Sequence, residues 1–178
     1  MSILKKEEAM NTSEAIRKRR SIRKYKEGVV IPRKDIETIL EAAMMAPSAR
    51  NTRPWEFVVV ESREGKEKIM EIQPYTGMLK TASAAIIVCG LPEVQKEANC
   101  SEFWPEDCGA AIENILLQAL ELGYGTCWCG FYPVEDRVKA LKEAFALKSV
   151  PLAVVALGVP DEEPAARGYF DPEKVRYI

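Results

Sequence analysis

Pro105-Glu106-Asp107-Cys108-Gly109-Ala110-Ala111-Ile112-Glu113-Asn114-Ile115-Leu116-Leu117-Gln118-Ala119-Leu120-Glu121-Leu122, followed at once by Gly123-Tyr124-Gly125-Thr126-Cys127-Trp128-Cys129-Gly130, is the stretch on which the fold turns. Ile112, Ile115, Leu116, Ala119 and Leu120 recur at helical spacing, and Ala110, Ala111, Leu117 and Leu122 widen the apolar face. A helix apolar over so much of its girth needs cover on nearly all sides, which places it centrally and in a subunit interface. Gly123 stops it, and Thr126 to Cys129 reads as a short strand ending at Gly130.

Upstream, Asn11-Thr12-Ser13-Glu14 offers a capping side chain with Glu14 three residues on, so a helix is predicted toward Arg19. After the Glu27-Gly28 turn and Pro32, the positions Ile36, Ile39, Leu40, Ala43 and Met44 form one face of a second helix ending at Pro47. Phe57 to Val60 and Ala84 to Cys89 read as buried strands with a helix from Arg63 to Ile72 between them. Downstream, Val134, Val138, Leu141 and Phe145 define another helix, and Leu152 to Leu157 another strand. The polar tail from Asp161 ends in Val175-Arg176-Tyr177-Ile178, which is expected to pair as a terminal strand. With no repeat, linker or low-complexity tract, residues 1–178 are expected to form a single α+β domain of helices around a small sheet.

Apolar residues make up 47% and charged residues 29% of the 178, which fits a globular chain and excludes a disordered one. The start, Met1 to Glu7, has no apolar run of targeting length. The apolar stretches near Ala84–Cys89 and Pro151–Val159 are too short to span a bilayer, so a cytoplasmic protein without a membrane partner is expected. The net charge of −2 hides an asymmetry: Arg17 to Lys34 carries +8 and the remainder −10. An anion is therefore expected to meet this segment. With no histidine, Ser-His-Asp and Cys-His catalysis and Cys/His zinc sites are excluded. The five cysteines contain no CxxC pair and read as buried free thiols, with no metal expected.

Three segments carry the chemistry. Arg19-Arg20-Ser21-Ile22-Arg23 groups guanidinium forks and a hydroxyl closely enough to bind a phosphate through charge-assisted hydrogen bonds. Ala46-Pro47-Ser48-Ala49-Arg50-Asn51-Thr52-Arg53-Pro54-Trp55 is a polar loop whose small and amide side chains suit the polar edge of a flat ring. Leu122 to Gly130 brings glycines that permit close backbone approach at a strand end. Neither a GxGxxG nor a GxxxxGK[ST] motif occurs.

Taken in order with Asp107 to Asn114 and with Phe170-Asp171-Pro172-Glu173-Lys174-Val175, these segments resemble the nitroreductase family over nearly the whole chain. The resemblance implies a nitroreductase-like fold: a four- or five-stranded, mainly antiparallel sheet flanked by helices, in an intertwined homodimer with FMN between the subunits. Arg19, Arg20 and Ser21 match the phosphate- and ribityl-binding start, and Arg23 the basic residue near the pyrimidine edge of the flavin. Pro47, Ser48, Ala49 and Asn51 match the loop that reaches the flavin from the other subunit, and Cys129 and Gly130 the pair whose backbone faces its N5 and O4 edge. Arg167 is the matching late phosphate ligand, with Lys174 and Arg176 as substitutes.

The implied activity passes hydride from NADH or NADPH through FMN to a small flat acceptor such as a nitroaromatic or a quinone, by ping-pong kinetics. No side chain is then the catalytic acid; Arg23 supplies electrostatic support. Better-studied members carry a long helical excursion over the acceptor, where this chain has only Leu91 to Trp104. Other roles remain open: reductive dehalogenation or flavin breakdown within the family, a nucleic-acid-binding module using Arg17 to Lys34, or a cysteine-only metal or iron–sulfur protein. The acidic balance outside the basic segment argues against nucleic acid as a partner.

Overall fold

The structure, a computed structural model, describes residues 10–178; the reading of the Met1 to Glu7 start lies outside them. Its helices are α1 (Thr12–Lys18), α2 (Arg33–Met44), α3 (Arg63–Ile72), α4 (Pro92–Glu97), α5 (Trp104–Glu121) and α6 (Glu135–Ala144). Its strands are β1 (Trp55–Val60), β2 (Ala84–Gly90), β3 (Gly125–Gly130) and β4 (Val150–Gly158). Local chemistry sets several boundaries. Asn11 Oδ1 accepts the Glu14 N–H at 3.0 Å, so α1 begins at the expected cap. Ser62 Oγ accepts the Gly65 N–H at 3.1 Å at the head of α3. Gly123, at φ +82°, supplies the left-handed turn that ends α5.

The four strands pair antiparallel throughout, in the order β1-β2-β4-β3. β2 and β4 occupy the middle and are buried on both faces, which is why their sequences run apolar without alternation. Successive side chains nevertheless divide between two cores. Ile86, Val88, Val155 and Leu157 pack with Ile36 and Ile39 of α2 and with Ile112 and Ile115 of α5. Ala85, Ile87, Val154 and Ala156 pack with Ile69 of α3 and Leu141 of α6. The helices therefore sandwich the sheet.

Every residue of α5 from Asp107 to Leu120 is buried or half-buried in a single copy. Much of the cover expected from a subunit interface is thus supplied by α2 and the sheet. The half-buried Asn114, Leu117 and Gln118 border a cleft of about 640 Å³ shared with α1 and α2.

Within a single chain the tail stays outside the sheet. Val175 to Ile178 forms no strand within the chain; a short 3-10 turn at Pro172–Lys174 is followed by extended backbone, with Tyr177 90% exposed. These residues reach no open sheet edge in their own chain, so their backbone groups gain no ladder partner.

Candidate functional site

The basic segment is fixed by its apolar members. Ile22 and Tyr25 are buried, leaving Arg23 and Lys24 at the surface between them. The Ile22 N–H donates to the Thr126 carbonyl at 2.8 Å, and the Lys26 N–H to the Val159 carbonyl at 2.9 Å. Two glycines make room: a Cβ on Gly125 would lie 2.8 Å from Ile22, and one on Gly158 would lie 2.7 Å from the Tyr25 ring. The Tyr25 hydroxyl donates to the Ile22 carbonyl at 2.8 Å, and burial pushes its pKa far above the phenol range, so it remains a donor. The segment is therefore laid across the β3 and β4 ends.

This placement gathers the predicted cations. Arg19, Arg20, Ser21, Arg23 and Arg167 line one cleft of about 440 Å³, so the late arginine joins the early cluster across the whole sequence. Glu162 also lines it, but its Oε1 accepts the backbone N–H groups of Arg23 and Lys24. Arg19 lies 3.4 Å from Glu113, and Arg20 donates through Nη1 to the Arg19 carbonyl. The Nε of Arg20 is buried without a partner among the described residues. Guanidinium donors here exceed the acceptors, which is the donor set a phosphate requires.

Arg23 also lines a second cleft of about 550 Å³, together with Trp128, Cys129, Gly130, Gln73, Tyr75 and Arg137. A Cβ placed on Gly130 would meet nothing within 4 Å, so the backbone is open to close approach there. The Gln73 side chain, 3% exposed, donates to the Gly130 carbonyl at 3.0 Å and fixes that backbone. All five cysteines are free and buried, as read from the sequence. The Cys127 thiol is drawn below the ordinary thiol range by a hydrogen bond from Cys129, against the effect of burial, with Arg23 and Ser21 assisting; Cys129 is raised in turn.

Pro47, Ser48, Ala49 and Asn51 line neither of these clefts. They sit at the head of α5, where the Ala49 N–H donates to both carboxylate oxygens of Asp107 at 3.1 and 3.0 Å. Gln95, fully buried on α4, donates to the same carboxylate and to Thr52 Oγ1 at 3.3 Å. The short Leu91 to Trp104 segment thus supports this loop. Arg50, Asn51 and Arg53 have φ of 51°, 54° and 51°, left-handed conformations that non-glycine residues adopt at a cost.

Sequence reasoning missed Gln73, Tyr75 and Arg137, and also the bracing of the loop by Gln95 and Asp107. Asp107 carried a signal in its motif, but Gln73 and Arg137 carried none.

A model described as "Nitroreductase family" matches residues 16–74 and 73–159. A protein of Methanothermobacter thermautotrophicus, provisionally named NADH dehydrogenase/NAD(P)H nitroreductase, is 46% identical over 93% of this chain and 86% of its own length. A crystal structure of the Parabacteroides distasonis protein of the same provisional name superposes with a TM-score of 0.87 at 33% identity, covering 94% of this chain and 98% of that one. An FMN-dependent nitroreductase of Clostridium difficile superposes with a TM-score of 0.80 at 31% identity over 92% and 96% of the two chains. With the basic segment, the α5–β3 unit and the four-stranded sheet in the order the resemblance required, this chain belongs to the nitroreductase family.

Proposed function

We propose that the protein is an FMN-dependent oxidoreductase, one domain over residues 1–178, that works as a cytoplasmic homodimer and reduces flat, electron-poor acceptors by a ping-pong mechanism. The observation that carries the reading is the arginine-lined cleft running, through Arg23, into a second cleft with an open glycine backbone. The Clostridium difficile relative, FMN-dependent by name, supports the choice of cofactor. Among the described residues no helix is long and apolar enough to cross a membrane.

When bound, FMN supplies the two-electron chemistry between NADH or NADPH and an acceptor such as a nitroaromatic or a quinone. Arg19, Arg20 and Arg167 hold the phosphate with their surplus guanidinium donors, and Ser21 offers its hydroxyl to the ribityl chain. Arg23, standing between the two clefts, sets positive potential at the ring's pyrimidine edge. Cys129 and Gly130 present backbone to the ring, with Gln73 holding the Gly130 carbonyl. The Pro47 to Asn51 loop, braced at the head of α5, completes the site of a second copy. No histidine is available as an acid.

The absorbance spectrum of the purified protein, recorded before and after NADH and NADPH in turn, tests the reading. Flavin bands that bleach with a pyridine nucleotide and return with nitroaromatic or quinone support it. A protein with no affinity for added FMN contradicts it.

A further inference from the structure

Arg137 has no role in the flavin site described above, yet it lines the ring-end cleft with Arg23, Gln73, Tyr75, Trp128 and Gly130. Among the described residues no carboxylate lines that cleft, and neither Arg23 nor Arg137 pairs with an acid within 4 Å. Arg137 is half-buried, so its charge has lost part of its hydration without a counter-charge in return. It also stands in the first turn of the ten-residue α6, where the helix dipole disfavours a cation. Glu135 and Asp136 share that turn, but both are exposed and neither lines the cleft, so the acids that suit the helix dipole leave Arg137 unpaired. Helix stability does not explain an arginine here; an anionic ligand does.

We infer that Arg137 is a specificity residue at the ring-end cleft, selecting substrates that place a carboxylate or phosphate in the cleft while their flat ring reacts. The inference rests on the proposed flavin site, since the cleft receives substrate only if the ring lies along it. The anion has two possible sources: a carboxylate on the acceptor, or a phosphate on the pyridine nucleotide donor. Arg23 faces the ring's pyrimidine edge in that reading, which leaves Arg137 as the cation free to meet either group. Trp128, 40% exposed, offers a flat apolar surface in the same cleft.

The test uses the FMN-loaded full chain as wild type, Arg137→Gln and Arg137→Lys. One arm titrates benzoate and its uncharged analogue benzamide, neither of which is reduced, and follows the shift of the oxidised flavin spectrum. The other arm compares KM for NADPH with KM for NADH, which lacks the 2′-phosphate. Loss of one charge-assisted hydrogen bond predicts that Arg137→Gln weakens benzoate relative to benzamide by about tenfold or more, with Arg137→Lys recovering most of it. If the nucleotide phosphate is the anion, the NADPH-to-NADH ratio of KM rises by about the same factor instead, and this also supports the inference. An Arg137→Gln protein that keeps FMN and shows both ratios unchanged overturns the inference alone. A wild-type chain that binds no FMN overturns the flavin reading and this inference with it.

Discussion

The basic segment Arg19–Arg23 and the polar loop Pro47–Asn51 are both irregular backbone at the end of a helix, but they are held in opposite ways. The first is fixed by apolar insertion: Ile22 and Tyr25 fill slots that Gly125 and Gly158 leave open, and the charged side chains project as a consequence. The second is fixed by buried polarity: Asp107 gathers the Ala49 N–H and the Gln95 amide, and left-handed residues carry the chain around. Hydrophobic anchoring leaves the guanidinium donors free for a ligand. Polar anchoring uses the available donors on the fold itself and presents a rigid backbone surface outward.

This contrast can be broken at either end. The largest effect is expected from Arg20→Glu, which turns a phosphate donor into a repelling charge and should weaken FMN by ~3 kcal/mol, roughly a hundredfold. Fluorescence titration of apoprotein with FMN reads this, and an unchanged affinity assigns the cluster to something else. Asp107→Ala strands the Ala49 N–H and the Gln95 amide and should cost about 2–3 kcal/mol of stability in denaturant unfolding. If its midpoint matches wild type, the polar anchor is not what holds the loop.

Gly125→Ala should cost about 1–3 kcal/mol, because the added methyl meets Ile22 at 2.8 Å and pushes the basic segment off β3. In the combination Gly125→Ala/Ile22→Ala, which removes both Ile22 Cγ atoms that the methyl would meet, the total loss should be smaller than the sum of the two single losses; a loss equal to that sum would place the strain elsewhere.

The smallest effect is a pH dependence beneath the loop. Burial raises the Cys108 thiol to about 12, where the unfolded value is near 9. A group whose folded pKa is raised contributes stability that is whole below the unfolded value and is lost as pH climbs toward the folded one. Thermal midpoints should therefore fall between about pH 9 and 12, with Cys108→Ala showing a flatter decline; equal slopes in the two proteins would remove Cys108 from the account.

The periodic elements were legible because one-dimensional pattern suffices for them. Ala84 to Cys89 and Leu152 to Leu157 lack polar alternation because both faces of the central strands are covered. The α5 helix was equally clear from its apolar girth, and α2 and the sheet cover much of it within one chain. Charge clustering exposed Arg19 to Arg23, and the ordered motifs drew in the loop and the β3 end.

What stayed hidden depends on distance along the chain. Gln73 meets Gly130 across 57 positions, and nothing in Gln73-Pro74-Tyr75 marks the amide as a brace. Arg137 is one more basic residue on an amphipathic helix until the cleft shows it without an acid partner. The left-handed backbone at Arg50 and Asn51 carries no glycine signature. The terminal Val175 to Ile178 has strand-forming residues but pairs with neither edge strand, β1 or β3, of its own chain.

The central claim is that the two regions, held apart within each chain, meet across a homodimer to enclose FMN. Sedimentation velocity recorded at both protein and flavin wavelengths tests it most directly. The account predicts that flavin travels with the dimer in equimolar ratio to the chain, and that deleting Phe170 to Ile178 lowers dimer content and flavin occupancy together. A full-length monomer that carries FMN in equimolar amount would contradict it and would place the whole flavin site within a single chain.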